Sequence, residues 1–232
     1  MALPKLNTEP KYRITIPSTG KQTRFRPYLV KEEKVLMLAM ESKDEKQILD
    51  AVADTIVACV EETIDKRQLT PFDIEFLFTK IRSKSVGEVV HLNMKCTECT
   101  KETPVDINVD DIDMPVKKPQ TMIDITDDIQ LEMKWPTLEG ILRMQDDHTT
   151  ENMLAMLRVA MVAVHTQDER IDLTESTDAE IEEFLESMNN NQFGKIREFM
   201  DNMPSLKHTV DFKCGSCGHE NSILLEGMQS FF

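Results

Sequence analysis

Four of the five cysteines fall into two pairs of identical spacing, Cys96-Thr97-Glu98-Cys99 and Cys214-Gly215-Ser216-Cys217. Two residues between cysteines let one tight turn present both sulfurs to a metal, and two such turns complete the tetrahedral thiolate set that zinc favours. Cys96, Cys99, Cys214 and Cys217 are therefore the candidate ligands of one Zn2+. Gly215 and Gly218 can take the positive φ that such a turn requires, whereas Glu98 and Thr100 occupy the comparable places in the first pair, so its geometry is less clearly signalled. Four protein ligands close the coordination sphere and leave no water to activate, which points to a structural metal. Metal-free knuckles and redox or disulfide chemistry stay open as alternatives. A redox Cys-x-x-Cys usually opens a helix after a strand, which neither pair does, and an N-terminus without the apolar core of a secretory signal argues against disulfides.

The remaining chemistry-bearing residues carry less. His219 follows the second pair and is superfluous beside four thiolates, while His91 and His208 sit on adjoining strand candidates and read as ordinary strand residues. Cys59 lies on a helical apolar stripe and reads as a small buried hydrophobe. The acidic pairs Asp110-Asp111, Asp127-Asp128 and Asp146-Asp147 read as solvated turns. No Gly-rich phosphate loop, Gly-x-Ser-x-Gly, His-Glu-x-x-His or EF-hand loop is present, and seven glycines leave little material for one. Nothing in the sequence assembles an active site, so the chain reads as non-enzymatic.

Each cysteine pair lies between two strand candidates, Val89–Met94 with 104–109 and His208–Lys213 with Ser222–Leu225, which makes each pair the tip of a β-hairpin. That is the anatomy of a zinc ribbon, with a separation between pairs far wider than in a simple one. The chain is therefore expected to be α+β: an N-terminal helical bundle, a zinc-ribbon-like pair of hairpins, and a helical insertion between the two knuckles. The expected boundaries are a basic extended arm over 1–28, a helical region over 29–85, the ribbon over 86–136 and 206–232, and the insertion over 137–205. In the helical region, spacing places Val35, Leu38 and Ala39 on one apolar side of a first helix. Ile48, Val52, Ile56 and Cys59 line a second. Thr70, Pro71 and Asp73 give a third helix a cap, a first-turn proline and a carboxylate at its positive end. Strands are expected at 121–125 and 129–135, then helices at 137–146, 150–164, 177–188 and 191–202, with Thr137, Thr150 and Thr177 as caps.

Charge sets limits on partners. The formal net charge is -15, yet residues through Lys31 carry +6, leaving -21 for the rest. A nucleic-acid binder normally shows a concentrated basic surface, so a zinc-ribbon nucleic-acid-binding regulator is the weaker functional class. The basic arm reads as a solvated tail or as a segment that docks on an acidic neighbour. No apolar run approaches the roughly 20 residues needed to span a membrane, and the chain is expected to stay in the cytoplasm where it is made.

Several stretches together resemble the T4-type bacteriophage baseplate hub proteins. They are Ile16-Pro17-Ser18-Thr19-Gly20-Lys21, Phe25-Arg26-Pro27-Tyr28-Leu29-Val30-Lys31-Glu32-Glu33-Lys34, Phe72-Asp73-Ile74-Glu75-Phe76-Leu77-Phe78, Ile81-Arg82-Ser83-Lys84-Ser85-Val86-Gly87, and the closing Cys-x-x-Cys with Leu225-Glu226-Gly227 and Phe231-Phe232. The resemblance spans most of the chain. It implies a component or assembly factor of a contractile-tail baseplate, made in the host cytoplasm and acting through contacts with other hub and tail proteins. Retention in the virion, loss of an assembly chaperone before completion, and homo-oligomerisation are all compatible with it. It implies no catalytic residue.

Overall fold

The computed structural model describes residues 10–112, 114, 120–143, 149–227 and 230, with backbone alone at 143 and 149–153. The expectations for Asp146-Asp147 and Phe231-Phe232 lie outside the described residues, as does the side chain of the expected cap Thr150, whose backbone lies within the helix Thr149–Ala160. The chain divides into two compact units: one formed by 1–66, 72–115 and 205–232, the other by 67–71 and 116–204. The architecture is mixed α+β, with seven α-helices, one four-stranded sheet and three two-stranded sheets among the described residues.

The first unit opens with a hairpin, β1 (Tyr12–Thr15) and β2 (Gln22–Phe25), paired antiparallel. Alternation sends Ile14, Ile16 and Phe25 inward, and Gly20 takes a φ of 69° in the connecting turn. Three basic residues of this segment are fixed by acids of the same unit: Arg24 Nε lies 2.7 Å from Glu61, Lys21 Nζ 2.6 Å from Glu62, and Lys11 also pairs with Glu61. Helices α1 (Val30–Ser42) and α2 (Glu45–Cys59) follow as an antiparallel pair. Asp44 caps α2 by accepting from the backbone N–H groups of Lys46 and Gln47. Val52, Ile56 and Cys59 are buried as the α2 stripe predicts.

Helix α1 departs from expectation. Its one buried residue is Glu32, while Val35 and Leu38 are 47% and 57% exposed. Six consecutive apolar residues, Val35 to Met40, give no single stripe; Glu32, Leu36 and Ala39 form its more covered side, because the buried contact is an ion pair with Arg26. Helix α3 (Pro71–Val86) starts at the proline, and the buried Asp73 carboxylate accepts the Ser18 N–H at 2.8 Å. Stretches that carry the family resemblance are bonded to one another: Ser18 N–H donates to Asp73, and Tyr28 N–H to Ser85 Oγ.

The second unit holds an antiparallel sheet in the order β5-β6-β7-β8, formed by Met122–Asp124, Gln130–Met133, Met161–His165 and Arg170–Asp172. The helix expected over 150–164 is corrected here: α5 (Thr149–Ala160) stops at Ala160, and Met161–His165 becomes an inner strand. A continuous apolar run fits a buried strand and a buried helix equally well, and periodicity cannot separate them. Strand β8 is not predicted, because three residues are too few for alternation to be distinguished from chance. Helices α6 (Asp178–Glu186) and α7 (Asn190–Asp201) cover a core that includes Leu131, Met133, Leu157, Ile196 and Phe199. Thr177 caps α6 with Glu180 in a capping box, as predicted.

Helix α4 (Leu138–Arg143) packs on α5 through Gly140, where a Cβ would lie 2.0 Å from Val159 Cγ1. A β-branched residue in a helix has little freedom to yield. Gly140→Ala is therefore expected to destabilise by ~1–3 kcal/mol, although alanine is the better helix former by ~1 kcal/mol. Urea denaturation checks this, and an unchanged or raised midpoint refutes it.

Candidate metal centre

The first knuckle joins β3 (Val89–Lys95) to β4 (Glu102–Asn108), and the second joins β9 (Lys207–Lys213) to β10 (Glu220–Glu226). Every boundary of the second hairpin falls 118 residues after its counterpart, from Val89 and Lys207 to Asn108 and Glu226. The turns match bond for bond. Cys96 N–H donates to Lys101 O at 3.0 Å and Thr100 N–H to Cys96 O at 3.0 Å; Cys214 N–H donates to His219 O at 2.8 Å and Gly218 N–H to Cys214 O at 2.9 Å. Thr100 has a φ of 60° and Gly218 a φ of 74°. The first knuckle thus adopts the same left-handed position without glycine, at a local cost of ~1 kcal/mol.

The two tips meet as a pseudo-two-fold pair. Cys96 Sγ lies 3.7 Å from Cys217 Sγ, and Cys99 Sγ 3.6 Å from Cys214 Sγ, so the first cysteine of each hairpin faces the second of the other. Thr97 N–H donates to Asn221 Oδ1 at 2.9 Å, and in the reciprocal position Gly215 N–H donates to Thr103 Oγ1 at 3.3 Å. Thr103 and Asn221 each stand seven residues after the first cysteine of their own hairpin. The sequence reading missed both. Aligning the hairpins on their cysteines would have found them as two polar side chains at one register position. Asn221 is buried, and its Nδ2 also donates to His219 O at 3.0 Å and points at Cys96 Sγ at 3.7 Å.

All four ligand-capable sulfurs lie within 4.8 Å of one another, and all five cysteines are free thiols. Four sulfurs at ~2.3 Å from one zinc ion would be separated by about 3.8 Å, close to the two crossed distances. Cys96 and Cys214 are buried, Cys99 is half-buried and Cys217 exposed. Electrostatics favour a cation at the centre. Backbone N–H groups of Cys217 and Ser216 pull the Cys214 thiol down to about 6, and those of Cys99 and Glu98 lower Cys96 against the effect of burial. The His219 N–H acts to lower Cys217 as well, but the neighbouring sulfurs of Cys99, Cys214 and Cys96 push it up to about 12. The cluster is prepared for thiolates yet resists holding all of them as bare negative charge. It is compatible with a structural metal.

Other candidates resolve into structure. His219 contributes its carbonyl, and His91 pairs with Asp106 across the β3–β4 ladder at 2.5 Å. His208 faces Leu225 in the β9–β10 register. Asp110 accepts from Ser83 Oγ at 2.8 Å and pairs with Lys84, and Asp128 accepts from Gln167. No helix among the described residues is long and apolar enough to cross a membrane.

Fold and site define a mixed α+β protein built around a four-cysteine cluster suited to a structural metal, with no other assembled chemistry among the described residues. Residues 9–232 match the family described as T4 bacteriophage base plate protein, and the chain belongs to that family. It is accordingly a structural baseplate protein of a bacteriophage. No curated protein and no solved structure matches the chain.

Proposed function

We propose that this chain is a non-enzymatic component of the hub of a contractile-tail baseplate, working through contacts with other hub and tail proteins. The match over nearly the whole chain carries this reading. In the same proposal Cys96, Cys99, Cys214 and Cys217 hold one structural Zn2+, the two hairpins form a zinc ribbon, and the stretch 116–204, which carries the sheet β5–β8 as well as helices, is an insertion between its halves. The crossed sulfur distances and the reciprocal Thr97–Asn221 and Gly215–Thr103 bonds support the metal. The protein is made and assembled in the host cytoplasm and then enters the tail.

Tagged chain recovered from infected cells is expected to bring down other tail proteins, and quantitative mass spectrometry of purified virions to find it at fixed stoichiometry. Recovery from assembly intermediates with absence from virions would assign an assembly chaperone. An isolated monomer in both preparations would refute the hub role. Elemental analysis of protein purified without added metal is expected to give about one zinc per chain.

A further inference from the structure

The β1–β2 sheet has two edges with different fates. On the β2 side, Arg24 O accepts the Glu61 N–H at 2.8 Å and Arg26 N–H donates to Cys59 O at 2.9 Å, so that edge is satisfied. On the β1 side the alternation is fixed by the Ile16 N–H to Lys21 O bond, which makes Tyr12 and Ile14 the residues that bond to β2. Arg13 and Thr15 therefore aim their backbone N–H and C=O groups away from the sheet, and no described residue takes them up. Beside this edge lies a cavity of about 600 Å³. All four residues of β1 line it, together with Gln22 and Phe25 of β2, Phe76, Lys80 and Lys84 at four-residue steps on α3, and Asp110.

The two walls agree in length. The three steps from Tyr12 to Thr15 span about 10 Å, and the eight steps from Phe76 to Lys84 rise about 12 Å along the helix. A groove between a strand with one open edge and a neighbouring helix is the geometry in which an extended peptide adds as a further strand. Its charge is opposite to that of the chain: Arg13, Lys80 and Lys84 stand against Asp110 alone, in a protein of net charge -15. Lys84 is shared with Asp110 and Glu88, and Lys80 donates to the carbonyls of Asp110 and Ile112 at 2.8 Å, while no described carboxylate pairs with Arg13. Phe76 supplies an aromatic surface beneath Lys80.

We infer that the β1 edge is a docking groove for an extended acidic segment of a partner protein, which adds a strand to Tyr12–Thr15 and places a carboxylate beside Arg13. The inference depends on neither the metal nor the hub assignment.

A displayed library of random decapeptides selected on the full chain tests this. Thr15→Pro removes an outward N–H without touching the pairing to β2, and Arg13→Glu reverses the free cation. Enriched peptides are expected to carry Asp or Glu in alternation with apolar residues. They should bind at least about tenfold more weakly to each variant and to lose affinity when N-methylated on the pairing edge, with the urea midpoints of the variants unchanged. An absence of enrichment, enrichment of basic or uncharged sequences, or equal binding to Thr15→Pro would overturn the proposal. So would a dimer that Thr15→Pro dissociates, which would give the edge to a second copy.

Discussion

Cys214→Ser is expected to abolish zinc binding and to cost the first unit at least about 4 kcal/mol, roughly 10 °C or more in Tm. Cys214 is the thiol most strongly prepared for ligation, with its pKa drawn to about 6 by the knuckle N–H groups. A serine hydroxyl at the same place offers zinc a poor ligand and leaves those N–H groups without their anion. The loss should be large because the ligands join segments 115 and 121 residues apart, and no local bond replaces such a link. Cys59→Ala is the control: that residue is buried in α2, so it should lose only the ~1 kcal/mol of a small cavity and keep its full zinc content. Elemental analysis and thermal melts of both variants decide the matter. A Cys214→Ser protein that retains both zinc and wild-type Tm would refute the assignment.

The second large effect is expected at Glu32. Its side chain is 7% exposed and that of Arg26 17%, with Arg26 Nη2 at 2.9 Å from Glu32 Oε1. The other carboxylate oxygen accepts the Leu29 N–H at 2.8 Å, and Arg26 also donates to Ala58 O at 2.9 Å, so one pair fastens the start of α1 to the end of α2. Glu32→Gln strands a guanidinium in a largely buried place and should cost about 3 kcal/mol. Burial alone would raise the Glu32 pKa, but hydrogen bonds from Arg26, Leu29 N–H and Lys31 outweigh it and hold the carboxyl below its usual range. A carboxylate whose pKa is lowered in the folded state adds stability above the unfolded value of ~4.3 and loses it as pH falls through the folded one. The stability gap between wild type and Glu32→Gln should therefore be full at neutral pH and shrink as pH drops below about 4.3. Urea midpoints measured at several pH values give both numbers, and a gap constant down to pH 2 would contradict the ion-pair account.

Those two residues also mark what the sequence could and could not convey. The cysteine pairs announced themselves by spacing, and the structure brings their sulfurs together across the chain. Helix α3 was legible because Pro71 and Asp73 are local signals that tertiary contacts do not override. Glu32 was not legible as a core residue, since a charge in a helix reads as solvent-facing until its partner, six residues earlier, is seen in place. In α1 the spacing of Val35, Leu38 and Ala39 gave a face that the ion pair overrode, because a continuous apolar run supports more than one. The 150–164 run misled for the opposite reason: everything in it could be buried, so burial could not tell helix from strand. Thr100 concealed the symmetry of the knuckles, because a threonine at φ 60° is a conformation the sequence argues against.

The order in which the hairpins are synthesised adds a timing element to the cluster. Cys99 leaves the ribosome 115 residues before Cys214, about 6–23 s at ordinary translation rates. During that interval the stretch 116–204 emerges with most of the second unit's core, while the first pair of thiols waits with half a coordination set. A chain cut short anywhere before 217 can never complete the cluster. On the proposed zinc assignment, the closed four-thiolate site would therefore be available only to chains that extend past Cys217.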